Sequence, residues 1–230
     1  MRFALPLLPG RLIRRYKRFL ADIELESGET ITALTPNTGS MKGLIVPGAP
    51  VRVSVSDSET RKYKHTWEMV CIDGGWAGIN THLTNVIAAE ALDRGVIPAF
   101  RRYRSYRREV KIADGTRIDF VLGTRGICLV EVKNVTLVED RAARFPDAVT
   151  TRGQKHLRHL TEAARRGKKA AMLYVVQHHA GEYFEPADDI DPEYGRLLRR
   201  ARDAGVRIEA WRAKVAPLGI ELAERLSVRL

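Results

Sequence analysis

Alternation of apolar and polar positions dominates the first third of the chain. Phe19, Ala21, Ile23 and Leu25 alternate with Leu20, Asp22, Glu24 and Glu26, which predicts a half-buried strand; Ser27-Gly28-Glu29 then turns it into a second one over 30–34. Val51, Val53 and Val55 alternate with Arg52, Ser54 and Ser56, and 64–72 predicts a further strand closed by Gly74-Gly75. Short strands at this spacing, without helical periodicity, predict a small barrel or sandwich, and closing a barrel removes exposed edges.

Near residue 82 the pattern changes. Thr84 is a candidate N-cap for a helix over 85–94, with Val86, Ile87 and Ala91 on one stripe and Gly95 as its stop. A hairpin is expected from 109–112 and 117–122 around an Asp114-Gly115 turn, followed by a longer apolar strand over 127–135. Residues 136–150 read as a polar loop. A helix is expected over 151–166 with Leu157, Leu160 and Ala164 on its core face, then a buried strand over 170–177. Asp191-Pro192 opens a helix ending at Gly205, and 206–211 is the last strand expected. Mixed helices and strands predict an α/β sheet flanked by helices, so the chain divides into a β unit at 1–82 and an α/β unit at 83–230.

Charge changes this picture more than composition does. Thirty-nine Lys and Arg stand against 28 Asp and Glu, a net +11 with pI near 9.9, and such an excess favours a polyanionic partner. A basic proteome would produce the same excess. Only Cys71 and Cys128 are present, each inside an apolar run, which predicts small buried core residues and neither a disulfide framework nor a zinc site. No run approaches the ~18 apolar residues of a membrane span. The apolar patch at the N-terminus is short and broken by Pro6 and Pro9, so no signal peptide is read there and the cytoplasm is the expected compartment.

Candidate chemistry gathers on the hairpin and the strand after it. Glu131 and Lys133 are two apart on a strand and emerge from one face, while Asp119 lies on the strand expected to pair with it, sharing a face with Arg117 opposite Ile118 and Phe120. Two carboxylates beside a lysine offer oxygen ligands to Mg²⁺ or Mn²⁺, and the lysine can orient or deprotonate a water. Charge set into the run Ile127-Cys128-Leu129-Val130 is costly unless paired or metal-bound. A structural Glu131–Lys133 salt bridge accounts for the same residues, and both readings stand here. Glu90 lies next to the apolar stripe of its helix and reads equally as an assisting carboxylate or as an exposed helix glutamate. Gln154, three residues before Leu157, should face the sheet, with Arg152 and Lys155 placed to touch phosphate.

Several strings in this order resemble the sugar fermentation stimulation protein A family along nearly the whole chain. They are Pro36-Asn37-Thr38-Gly39-Ser40-Met41, Arg61-Lys62-Tyr63-Lys64-His65-Thr66-Trp67-Glu68, Asn80-Thr81-x-x-x-Asn85 and Arg117-Ile118-Asp119-Phe120. Val130-Glu131-Val132-Lys133-Asn134-Val135-Thr136-Leu137, Phe145-Pro146-Asp147-Ala148-Val149-Thr150 and Arg152-Gly153-Gln154-Lys155-His156-Leu157 continue the match. The resemblance implies an OB-like N-terminal barrel, a restriction-endonuclease-like PD-(D/E)xK domain, DNA binding and a link to sugar-utilisation genes. The family often has His-Cys before the Pro-Asn turn; Leu34-Thr35 stand there in this chain.

OB barrels bind single strands with a basic groove and aromatic platforms. The mix occurs at 14–18 and again at Arg61, Lys62, Tyr63 and Lys64, while Trp67 is expected in the core. The run containing Arg101, Arg102, Arg104 and Arg107 is the densest, and because it precedes the site strands it is the first choice for phosphate contact. The Asn37-Thr38-Gly39 turn could donate amides to phosphate or be a plain β-turn. His178-His179 reads as structural. Two functions follow: a metal-dependent nuclease acting on DNA or RNA with Asp119, Glu131, Lys133, Glu90 and Gln154 at its site, or a non-cleaving DNA-binding regulator. A small-molecule sugar enzyme has no Gly-rich cofactor loop or Ser-His-Asp arrangement behind it. Oligomeric state is open, a dimer included.

Overall fold

The computed structural model describes residues 1–112, 116–124 and 127–230; the Asp114-Gly115 turn lies outside them. The N-terminal unit has strands β1 (Leu8–Tyr16), β2 (Leu20–Leu25), β3 (Thr30–Leu34), β4 (Pro50–Val55), β5 (His65–Ile72) and β6 (Gly75–Gly78). They run in the order β3-β2-β1-β4-β5-β6, and β3 closes the sheet into a barrel by pairing in parallel with β5 at Ala33–His65 and Leu34–Thr66. Leu12, Ile23, Val51, Val53 and Trp67 fill its interior. Phe19 is exposed, not part of that stripe, because Lys17 and Arg18 take positive φ and β2 begins one residue later, at Leu20. Gly10 lets β1 and β2 approach closely: a Cβ there would lie 2.7 Å from the Glu24 carbonyl oxygen.

After a 3₁₀ turn at Thr81–Leu83, the second unit runs α1 (Thr84–Asp93), β7 (Tyr106–Lys111), β8 (Arg117–Leu122), β9 (Cys128–Val135), β10 (Leu137–Glu139), β11 (Ala142–Phe145), α2 (Thr151–Arg165), β12 (Lys169–Val176), β13 (Tyr183–Pro186), α3 (Pro192–Asp203), β14 (Arg207–Ala216) and β15 (Gly219–Val228). One nine-stranded sheet orders them β10-β11-β13-β15-β14-β12-β9-β8-β7. The side chains of α1 pack on one face with Phe120, Val130 and Val132; those of α2 and α3 pack on the other with Leu129, Tyr174 and Val176. The fold class expected, a small OB-like barrel followed by a mixed sheet with helices, is the one found.

Three local expectations change. Residues 136–150 are not all loop: β10 and β11 form a hairpin pairing Leu137 with Arg144 and Glu139 with Ala142, turned by Asp140 and Arg141, both at positive φ. Thr84 does not cap α1. Asn80 caps the preceding 3₁₀ turn by accepting from the His82 amide, and the Thr84 hydroxyl instead lies 3.2 Å from Asn134 Oδ1. The strand expected to end at Trp211 continues to Ala216 and pairs with β15, where a register shift at Arg212–Ala213 interrupts the period of two.

The two units meet at His178. Its backbone bridges Ala77, and the Gly78 amide donates to the Gln177 carbonyl at 2.8 Å. Burial, reinforced by the charge of stacked His179, pushes the His178 imidazole down to about 4, against a weak opposing pull from Asp73. The Ala180 amide donates to its Nδ1 at 3.2 Å, a bond that needs the neutral ring. A cationic group held below its ordinary 6.5 stabilises the fold above that value and loses the contribution as pH falls toward 4. Unfolding free energy should therefore drop by up to about 3 kcal/mol across that window. Denaturant titrations of His178→Gln should show a flatter profile; parallel profiles would refute the assignment.

Candidate functional site

Register brings the carboxylates together. β8 and β9 pair antiparallel through Leu122–Cys128, Val121–Leu129 and Phe120–Val130, and one step further sets Asp119 level with Glu131. There β8 leaves the ladder: Asp119 Oδ2 accepts the Val132 amide at 2.7 Å. Peeling away also breaks the expected alternation, because Ile118 packs on the α2 side and Phe120 on the α1 side, although both are fully buried. Asp119 Oδ1 accepts from Asn85 Nδ2 at 2.9 Å, a contact delivered by the first turn of α1.

Glu131 is 2% exposed, and its two oxygens differ sharply. Oε1 takes Lys133 Nζ at 2.5 Å and also His156 Nδ1, whose ring lies 3.3 Å from that ammonium. Oε2 is buried with no hydrogen-bond partner. Burial and the neighbouring Glu131 charge push the Asp119 carboxyl above its usual range. For Glu131 burial acts upward too, but the His156 hydrogen bond and the Lys133 charge outweigh it and hold the carboxyl low. Carboxylate oxygens are hard donors, and an unpartnered buried one is an atom a divalent cation would satisfy. Among the described residues no group of three or more His, Cys, Asp or Glu forms a ready ligand cage. A cation here would complete its shell with water and phosphate, as Mg²⁺ ordinarily does.

Two of the expected participants are engaged elsewhere. The Glu90 carboxylate pairs with the N-terminal ammonium of Met1 and with Arg94. At ~100° per residue it lies about 140° around α1 from Asn85, the residue that does reach the site. Gln154 donates to both oxygens of Asp191, at 3.0 and 3.2 Å, and so belongs to the capping network that also receives the Thr150 and Tyr194 amides. Neither Asn85 nor His156 was singled out from the sequence. The signal for His156 was its place on the apolar stripe of α2, one turn before Leu160.

The basic candidates separate by end of the sheet. Arg152 and Lys155 stand exposed on α2, four residues and one residue before His156, with no carboxylate partner among the described residues. Arg158, next along that helix, is held by Glu193. Arg101, Arg102 and Arg104 are exposed but remote: β7 enters at Tyr106 opposite Leu122, and Leu122 pairs with Cys128, the far end of β9 from Lys133. Arg107 is exposed opposite Val121. In the barrel, Arg61 donates to Thr66 Oγ1, Lys62 lies over the Tyr63 ring, and Lys64 donates to the Ser58 carbonyl. The turn at 37–39 is structural. Gly39 N donates to Asn37 Oδ1, and the Asn37 and Thr38 carbonyls accept from Arg15 and Arg18. A cavity of about 340 Å³ separates this turn from the end of β9 and the start of α2, with Arg18, Asn134, Arg144 and Thr150 among its walls. Trp67 and Cys128 are buried; Cys71 is partly so.

Comparison with known proteins adds independent observations. Residues 13–79 match the family described as SfsA N-terminal OB domain, and residues 82–219 the family described as sugar fermentation stimulation protein RE domain. The chain is 54% identical to a sugar fermentation stimulation protein homolog of Geotalea uraniireducens, each chain covered completely, and 54% identical to another from Geobacter sp. over the same extent. Its fold superimposes on Pyrococcus furiosus SfsA, solved in complex with Ca²⁺, with a TM-score of 0.90 at 26% identity, covering 100% of this chain and 98% of that one. No helix is long and apolar enough to cross a membrane among the described residues.

Proposed function

Because this chain belongs to the sugar fermentation stimulation protein family, we propose that it binds nucleic acid and hydrolyses phosphodiester bonds with Mg²⁺ or Mn²⁺ held by Asp119 and Glu131. The observation that carries the reading is the buried, unpartnered Oε2 of Glu131 on the residue level with Asp119. The Ca²⁺ in the Pyrococcus furiosus relative agrees with an oxygen-lined divalent site. The reading assigns 1–82 to a nucleic-acid-binding barrel and 83–230 to a nuclease-like PD-(D/E)xK unit, in the cytoplasm, with DNA or RNA as partner.

A divalent cation at this position supplies charge to a phosphoryl oxygen and lowers the pKa of the attacking water. The chain supplies the rest. His156 holds Glu131 Oε1 from the helix side and leaves Oε2 without a hydrogen-bond partner. Asn85 and the Val132 amide fix the Asp119 carboxylate from two directions. Lys133 brings an ammonium whose donors can orient the water or a phosphate oxygen, and Arg152 and Lys155 stand exposed on the helix that carries His156. Removing a group that orients a metal ligand typically costs 10- to 100-fold. Asn85→Ala should therefore slow cleavage by about tenfold, while Glu90→Ala changes the rate less than about twofold. Steady-state rates at saturating metal separate the two, and equal losses would contradict the geometry.

Lys133 and His156 closing on one oxygen of Glu131 is also what an inherited, inactive site would keep, and this favours a second reading: a non-cleaving DNA-binding regulator of sugar-utilisation genes. The purified protein decides between them. Turnover of duplex DNA, single-stranded DNA or RNA with Mg²⁺ or Mn²⁺ supports the nuclease; its absence on all three substrates with both metals leaves the regulator.

A further inference from the structure

At the strand ends away from Lys133, a second cavity of about 600 Å³ opens where β9, β12 and β14 begin. Its walls carry Arg102, Lys169, Arg202 and Arg207, and among the described residues no Asp, Glu, Asn, Gln, Ser or Thr. The origin of these cations is scattered. Lys169 and Arg207 are the first residues of β12 and β14, Arg202 sits in the last turn of α3, and Arg102 precedes β7. A basic residue in the last turn of a helix is favoured by the helix dipole, which accounts for Arg202 alone. Arg207 is tied to buried Glu209 at 3.5 Å, Arg202 to exposed Asp203 at 2.9 Å, and Arg102 lies over the Tyr103 ring at 4.8 Å. Lys169 is exposed, with no carboxylate partner among the described residues.

We infer that this cavity binds a phosphate monoester carrying a flat heteroaromatic body, a mononucleotide in size and chemistry. Several cations with planar guanidinium forks match the oxygens of a phosphate better than a single carboxylate, which one arginine satisfies. The volume falls in the ~300–1,000 Å³ range of small-ligand sites. The body of the ligand follows from the walls beside the cations: Phe100, Tyr103 and Val228 offer aromatic and apolar surface for a flat base, and the Tyr103 hydroxyl can bond the sugar that links it to the phosphate. The site lies at the opposite strand ends from Asp119 and Glu131, so it stands whether or not those residues cleave anything.

Calorimetric titration of the full chain with adenosine monophosphate at fixed ionic strength tests the inference. Lys169→Glu should weaken binding about tenfold or more, whereas Lys214→Glu, the same charge change at an exposed position further along β14, should stay within about twofold. Should Lys169→Glu fold poorly, Arg202→Gln is read by the same criterion. Five results would overturn the inference. They are no binding by the wild type, equal binding by Lys169→Glu, displacement by equimolar sulfate, glucose 6-phosphate binding as tightly as the nucleotide, and binding confined to oligonucleotides, which would make the cavity part of a backbone track.

Discussion

Asp119→Ala is expected to lose about 10³-fold or more of metal-dependent cleavage, about 4 kcal/mol of transition-state stabilisation, while keeping its affinity for nucleic acid. The loss is large because Asp119 is half of the carboxylate pair that the β8–β9 register, carried one step past Phe120–Val130, sets side by side. Affinity survives because the residue contributes negative charge, which repels phosphate in the absence of a cation. Alanine has one confounding effect: it strands the Val132 amide that Asp119 Oδ2 accepts, at a cost of about 1–3 kcal/mol in stability. Asp119→Asn removes the charge and retains an acceptor, so it should be as inactive as alanine with less loss of stability. Single-turnover assays with Mg²⁺ and Mn²⁺, paired with thermal melts, measure both quantities. Either variant cutting within tenfold of the wild-type rate would show that the hydrolytic centre is elsewhere.

How far the sequence anticipated this site depends on what each signal encodes. Period-two alternation placed Glu131 and Lys133 on one face, and only the β8–β9 register, a long-range property, placed Asp119 level with them. The same local reasoning set Arg101, Arg102 and Arg104 next to the carboxylates, and the structure sets them apart. They immediately precede the site hairpin in sequence, but an antiparallel strand starts at the end remote from where its partner's key residue sits. On helices the missing information was rotation. Glu90 and Asn85 share α1 and face different ways, and a carboxylate near an apolar stripe does not reveal whether the salt bridge to Met1, distant in sequence, will claim it. His156 was hidden among Leu157 and Leu160, since a stripe that covers a core and a stripe that covers a buried carboxylate have the same 3.6-residue period. Short hairpins were lost for a simpler reason: Asp140-Arg141 adopts the positive φ values usually given to Asn-Gly, and three- or four-residue strands carry too few positions to show a period.

Affinity for nucleic acid should fall about 500-fold between about 50 and 200 mM salt if about five phosphates are neutralised, at roughly 0.9 logarithmic units of slope per phosphate. A net charge of +11 alone does not predict such a slope, because many of the arginines are spent internally: Arg158 and Arg196 on Glu193, Arg199 on Asp188, Arg144 on Glu139, Glu185 and Asp189. What matters is cations left without a carboxylate close to the carboxylate junction, and Arg152 and Lys155 satisfy that on the same turn of helix as His156. Each contact to a phosphate accounts for about one unit of slope, so Arg152→Ala with Lys155→Ala should lower it by about two and weaken binding uniformly across sequences. The corresponding change at Arg101 and Arg104, at the far strand ends, should leave the slope within about half a unit, since those residues do not face the same stretch of backbone. Fluorescence anisotropy across a salt series reads both slopes. An affinity that moves by only a few per cent over that range would mean the contact is not made to phosphate at all, and a slope lowered equally by both pairs of substitutions would mean the nucleic acid spans the sheet from end to end.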